Sequence, residues 1–99
     1  MNQLIQSQAE EEFNILEKAL TQYCEKMTKD VGNSYLFNSH YANAINEVDS
    51  FRKKIKNDED LASHFNDRIS KLIDAVNNHY YEAVHIFHGG ERWKQHYIQ

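Results

Sequence analysis

The sequence predicts an all-α protein: three long antiparallel helices in a bundle, over about residues 4–31, 34–56 and 58–88, with a short helical tail over 91–99. Proline is absent, and glycine is confined to Gly32, Gly89 and Gly90, so the main helix breakers are missing from the interior of each long segment. Large apolar residues recur at steps of three and four, the period of an amphipathic helix rather than a strand. The chain has 99 residues, 40% hydrophobic and 26% charged, which fits one globular domain rather than a disordered chain.

In the first segment the stripe is Ile5, Ala9, Phe13, Leu16, Leu20, Tyr23, Met27 and Val31. Between these lie Glu10, Glu11, Asn14, Glu17, Lys18, Gln22, Glu25 and Lys26, which are expected to face water. Ser7 followed by Glu10 has the spacing of a capping box, so the helix is expected to start firmly at Ser7, with residues 1–6 as a looser extension. Glu10, Glu11 and Glu12 lie near the positive end of the helix dipole, which they stabilise. Gly32, placed after Lys29, is expected to end the helix in a left-handed conformation.

Asn33 or Ser34 can cap the second helix; Ser39 is an alternative cap that would leave 35–38 in the turn. The second stripe is Phe37, Tyr41, Ala44, Val48, Phe51 and Ile55, close to a heptad seam. Arg52, Lys53, Lys54 and Lys56 crowd its C-terminal end, where they complement the dipole. Asn57 or Asp58 opens the third helix, with Asp58, Glu59 and Asp60 at its start. The very short connection predicts that the two helices lie antiparallel.

The third segment has the longest regular pattern: Leu61, Phe65, Ile69, Leu72, Val76, Tyr80, Ala83 and Phe87. It runs to His88 and is stopped by Gly89 and Gly90. Beyond them Trp93 and Tyr97, four apart, allow one or two further helical turns. At 1.5 Å per residue the third helix is roughly 40 Å long. Narrow stripes on long helices predict that a second copy of the chain completes the core, making a homodimer.

Composition disfavours several function classes. The net charge of −4 disfavours general binding to nucleic acid or anionic membrane, which needs a basic surface, and is too weak for a mimic of DNA. The lone cysteine, Cys24, has no partner for an internal disulfide, which fits a reducing, cytoplasmic setting. The first residues lack the basic and apolar regions of a signal peptide, and no apolar run approaches the ~18 residues of a membrane span.

Candidate chemistry is sparse. Four of the 6 histidines, His79, His85, His88 and His96, lie near the C-terminal end. Glu82 and His85 have the Glu-x-x-His spacing of di-metal carboxylate bundles, but a full site needs two such motifs and two further carboxylates. The pair points away from the third stripe, so a metal site would have to form across a dimer interface. His64 and Asp60 are spaced for an ordinary pair within the first turns. Cys24, beside Tyr23 at the edge of the first stripe, is expected to be a partly buried and inert thiol. The serines lie at caps or on polar faces, and no glycine-rich loop precedes a helix. No catalytic set, cofactor or resident metal is therefore expected, and the chain is not expected to be an enzyme.

The aromatic C-terminal end is more informative. Tyr81 and Ile86 fall outside the third stripe, and Trp93 and Tyr97 follow in the tail. These four residues are the candidate partner-binding set, since tyrosine and tryptophan are favoured anchors in protein interfaces. The leading expectation is a small acidic protein that binds another protein as a regulator, inhibitor, immunity-type or chaperone-type factor. In size and composition alone the chain resembles bacterial immunity proteins, phage-encoded inhibitors and secretion chaperones, and no motif places it in one of those families. A metal- or small-ligand-binding bundle using Glu82 and His85 is the alternative. A nucleic-acid accessory protein using the basic run from Arg52 to Lys56 is the third.

Overall fold

A computed structural model of the chain describes residues 5–89. Among these residues there are three helices and no strand: α1 (Gln6–Lys29), α2 (Ser34–Ile55) and α3 (Glu59–Phe87). Each helix packs against the other two. Cross-helix bonds fix their directions. Lys54, at the end of α2, donates to Glu12 near the start of α1 at 2.9 Å, so α1 and α2 are antiparallel. Tyr41, near the start of α2, donates to Asn77 in the later half of α3 at 2.7 Å, so α2 and α3 are antiparallel too. The chain runs up, down and up, leaving α1 and α3 parallel. The expected tail over 91–99 lies outside the described residues.

Local chemistry sets two helix starts as expected. Asn33 Oδ1 accepts the Leu36 N–H at 3.1 Å, which places 35–38 in α2 and sets aside Ser39 as the cap. Asp58 Oδ1 accepts the N–H groups of Asp60 and Leu61 at 3.0 and 3.2 Å. These bonds satisfy donors that a helix start otherwise leaves open.

The two ends of α1 differ from expectation. The helix starts at Gln6, and Ser7 lies inside its first turn. The Ile5 N–H donates to Gln8 Oε1 at 3.4 Å, while the Glu10 carboxylate is held by α3, so the Ser7–Glu10 box does not form. At the other end Asp30 (φ −103°, ψ 27°) donates its N–H to the Lys26 carbonyl. The Asn33 N–H then bonds the Asp30 carbonyl at 2.9 Å and closes the turn. Gly32 therefore needs no left-handed conformation, and Gly89 is the described glycine that has one (φ 104°).

The core follows the three stripes, with corrections where two residues straddle a seam. Phe13, Phe51 and Phe65, one from each helix, meet at its centre with ring centroids 5.2 to 5.6 Å apart. Ala9, Ala44 and Ala83 are buried and let the backbones approach. In α1, Cys24 is buried while Tyr23 only packs partly against the core. Leu72, expected to be buried in the middle of the third stripe, is half-buried and shares the seam with Ile73. At 100° per residue, adjacent positions flank the line joining Ile69 to Val76, so each covers one side. Ile5 at the start of α1 and Phe87 at the end of α3 are exposed because the stripe outruns its neighbours there.

Candidate protein-binding surface

The start of α2 and the end of α3 meet at one end of the bundle, where aromatic residues converge. Tyr80 stacks on Tyr41 with ring centroids 4.2 Å apart and planes 26° from parallel. Phe37 is buried and meets Tyr80 and Phe87 edge-on at 6.1 and 5.8 Å. The half-buried tyrosines are fixed at their tips. Tyr80 donates its hydroxyl to Asn38 Oδ1 at 2.6 Å, and Tyr41 donates to Asn77 Oδ1 at 2.7 Å. Asn38 in turn donates its amide to the Ser34 carbonyl at 2.7 Å. A buried tyrosine needs such a partner, and each bond here restricts a ring to one orientation.

From this base four large apolar residues reach solvent: Tyr35 (80% exposed), Tyr81 (65%), Ile86 (45%) and Phe87 (44%). Tyr81 packs partly on Tyr80, with ring centroids 5.9 Å apart. Tyr81 and Ile86 are thus exposed, as their positions off the stripe implied. Trp93 and Tyr97, the other two candidates, lie outside the described residues. Sequence reasoning missed Tyr35 and Phe87. Phe87 continues the apolar period of α3, so its exposure is invisible until the boundary of α2 at Ser34 is known. Tyr35 is the second residue after the Asn33 cap, a signal that placed it in the first turn.

His40, His64 and His79 make other contacts. His64 Nε2 donates to Glu10 Oε2 at 2.8 Å, an α3–α1 contact rather than the expected pair with Asp60. Arg68 Nη1 donates to both oxygens of the same carboxylate, at 3.1 and 2.9 Å. Arg68 first, and His64 second, hold Glu10 below its ordinary value of 4.5. His40 Nε2 donates to Asp30 Oδ2 at 2.8 Å and ties α2 to the end of α1. His79 Nδ1 donates to the Ala75 carbonyl one turn earlier.

Glu82 is exposed and His85 is half-buried on α3. Among the described residues no group of three His, Cys, Asp or Glu is placed to hold a metal ion. Burial, and then the nearby Glu25 charge, push the Cys24 thiol up from its ordinary value, which disfavours the reactive thiolate. In the basic run Ile55 is buried and Lys54 pairs with Glu12, which interrupts it as a continuous cationic face. No described helix is long and apolar enough to cross a membrane. Comparison with protein-family models, curated proteins and solved structures found no match.

Proposed function

We propose that this protein binds another protein through the aromatic end of α2 and α3, and acts on it as a regulator, inhibitor, immunity-type or chaperone-type factor rather than as an enzyme. The observation behind this is the exposure of Tyr81, Ile86 and Phe87 above tyrosines whose hydroxyls are already fixed. Aromatic side chains on a rigid base lose little freedom on binding, which favours affinity. A second copy of the chain is one candidate partner, in keeping with the expected homodimer. The lone, buried Cys24 fits a reducing, cytoplasmic setting.

Pull-down from the native host with the full chain, set beside the double variant Tyr81→Ala, Ile86→Ala, tests the proposal. Both positions are exposed, so the variant is expected to melt close to the parent while losing its partner. An anchor at the centre of an interface typically contributes ~2 kcal/mol or more, about a thirtyfold loss of affinity. Retention of the same partner at full strength by a folded double variant would refute it. Sedimentation across a concentration series separates self-association from a different partner.

A further inference from the structure

The outer face of α1 carries a second apolar feature. Among the described residues Ile15, 63% exposed, is the exposed large apolar residue that lies in the middle of a helix rather than near an end. One exposed isoleucine is ordinary in itself. Beside it, however, α1 and α2 leave a hollow of about 70 Å³, whose lining includes Ile15, Ala19, Ser50 and Lys54. A cavity of about 150 Å³ holds a benzene ring, so this one takes a single aliphatic side chain rather than a ligand.

The charges around the hollow are placed symmetrically. Glu11 and Lys18 are seven residues apart on α1, and Glu47 and Lys54 are seven apart on α2. Seven residues are close to two helical turns, so each pair lies along one side of its helix. Ile15 lies at the middle of the first pair and Ser50 at the middle of the second. Glu11, Lys18 and Glu47 are exposed, and none of them takes part in an ion pair among the described residues. Lys54 pairs with Glu12, the remaining acid of this face, and an ammonium has further donors. An acid and a base set equally far to either side of one point make a surface complementary to itself. Half a turn about an axis level with Ile15, and at right angles to α1, brings each acid of one copy to a base of another.

We propose that two copies of this chain associate through the α1–α2 face, with α1 antiparallel to α1 of the second copy about a two-fold axis at Ile15. Each Ile15 then enters the hollow of the other copy. Glu11 meets Lys18 of the second copy, and Glu47 meets its Lys54. From Glu11 to Lys18 is about 10 Å along the helix at 1.5 Å per residue, so the contact falls at the small end of interface sizes and association is expected to be weak. This goes beyond the binding role above: it gives the second copy a face of its own and leaves Tyr81, Ile86 and Phe87 to a different protein.

Sedimentation velocity of the full chain at low salt, from micromolar to millimolar concentration, tests this. The parent is expected to pass from monomer to dimer across that range. Ile15→Asp is expected to weaken dimerisation about tenfold or more, since it sets two like charges at the axis. Glu11→Lys and Lys18→Glu each oppose like charges across the axis and are expected to self-associate less than the parent. An equimolar mixture of those two variants is expected to regain the dimer, because both α1 contacts then pair an acid with a base. All three positions are exposed, so each variant is expected to keep its helical circular dichroism. If Ile15→Asp does not fold, the mixing experiment decides alone. Tyr81→Ser, at the proposed partner surface, is expected to leave dimerisation unchanged. Four results overturn the assignment: a parent that stays monomeric throughout, full dimerisation by a folded Ile15→Asp variant, no gain on mixing the two charge variants, or loss of the dimer in Tyr81→Ser. The last would place the second copy at the aromatic end.

Discussion

The guanidinium carbon of Arg68 lies 4.4 Å from the centroid of the Phe13 ring, across the seam between α3 and α1. It also lies 5.1 Å from the Phe65 ring. The same group bonds both oxygens of Glu10, so one side chain joins the edge of the aromatic core to the acidic start of α1. Arg68→Ala is expected to cost about 1 kcal/mol, since a partly exposed cation–π contact contributes about 0.5–1 and an exposed ion pair little more. Arg68→Lys keeps the charge but not the planar stack, and is expected to restore less than half of that loss. Urea denaturation of the two variants decides; a lysine variant as stable as the parent would remove the stacking account.

Glu10 is expected to make the stability of the bundle depend on acid. Because Arg68 and His64 lower its folded pKa below 4.5, the unfolded chain binds more protons between the two values, and stability rises with pH across that window. The contribution is complete above 4.5 and is lost as pH falls through the lower, folded value. Glu10→Gln is therefore expected to melt below the parent at neutral pH, and the gap should close in strong acid. A gap that stays constant from neutral pH to below pH 3 would show that the carboxylate charge is not its source.

Ile69 and Leu72 belong to one apolar period but not to one environment. Ile69 is 3% exposed, whereas Leu72 is half-buried beside Ile73. Ile69→Ala is expected to cost about 2–5 kcal/mol, the range for a large aliphatic side chain removed from a packed core. Leu72→Ala should cost clearly less. Equal losses in chemical denaturation would mean that the seam is centred on Leu72 rather than between Leu72 and Ile73.

The two glycines that follow helices should respond in opposite directions. At Gly32 an added Cβ meets nothing within 4 Å and the backbone is not left-handed, so Gly32→Ala is expected to stabilise by about 0.4–1 kcal/mol. At Gly89, with φ at 104°, the same change is expected to destabilise by at least a similar amount. Paired melting curves check the sign; an unchanged or raised melting temperature for Gly89→Ala would count against the left-handed cap.

What the sequence revealed divides by range. Helix identity and the Asn33 and Asp58 caps were legible because their causes lie within three residues of chain. The role of Glu10 was not, because its partner Arg68 is 58 residues away, and a local capping motif with Ser7 competes for the same carboxylate. His64 was assigned to Asp60 for the same reason. The apolar period located Cys24 only to the edge of a seam, since Tyr23 and Cys24 flank it and packing chooses between them. At the candidate surface, Tyr81 and Ile86 were legible as departures from the period. Tyr35 and Phe87 were not, since their exposure depends on where two different helices end.

The parallel arrangement of α1 and α3 also constrains the order in which the bundle assembles. Contacts within each antiparallel pair can start beside the turn, as His40 and Asp30 do at 10 residues apart, whereas Glu10 and Arg68, 58 apart, meet only after α2 has carried the chain away and back. The entropy of closing the longer loop is least costly once both hairpins exist. The α1–α3 seam is therefore expected to form after the rate-limiting barrier, and Arg68→Ala should speed unfolding while leaving the folding rate nearly unchanged. Stopped-flow measurement of both limbs tests this, and a folding rate that falls in step with stability would place the seam in the nucleus instead.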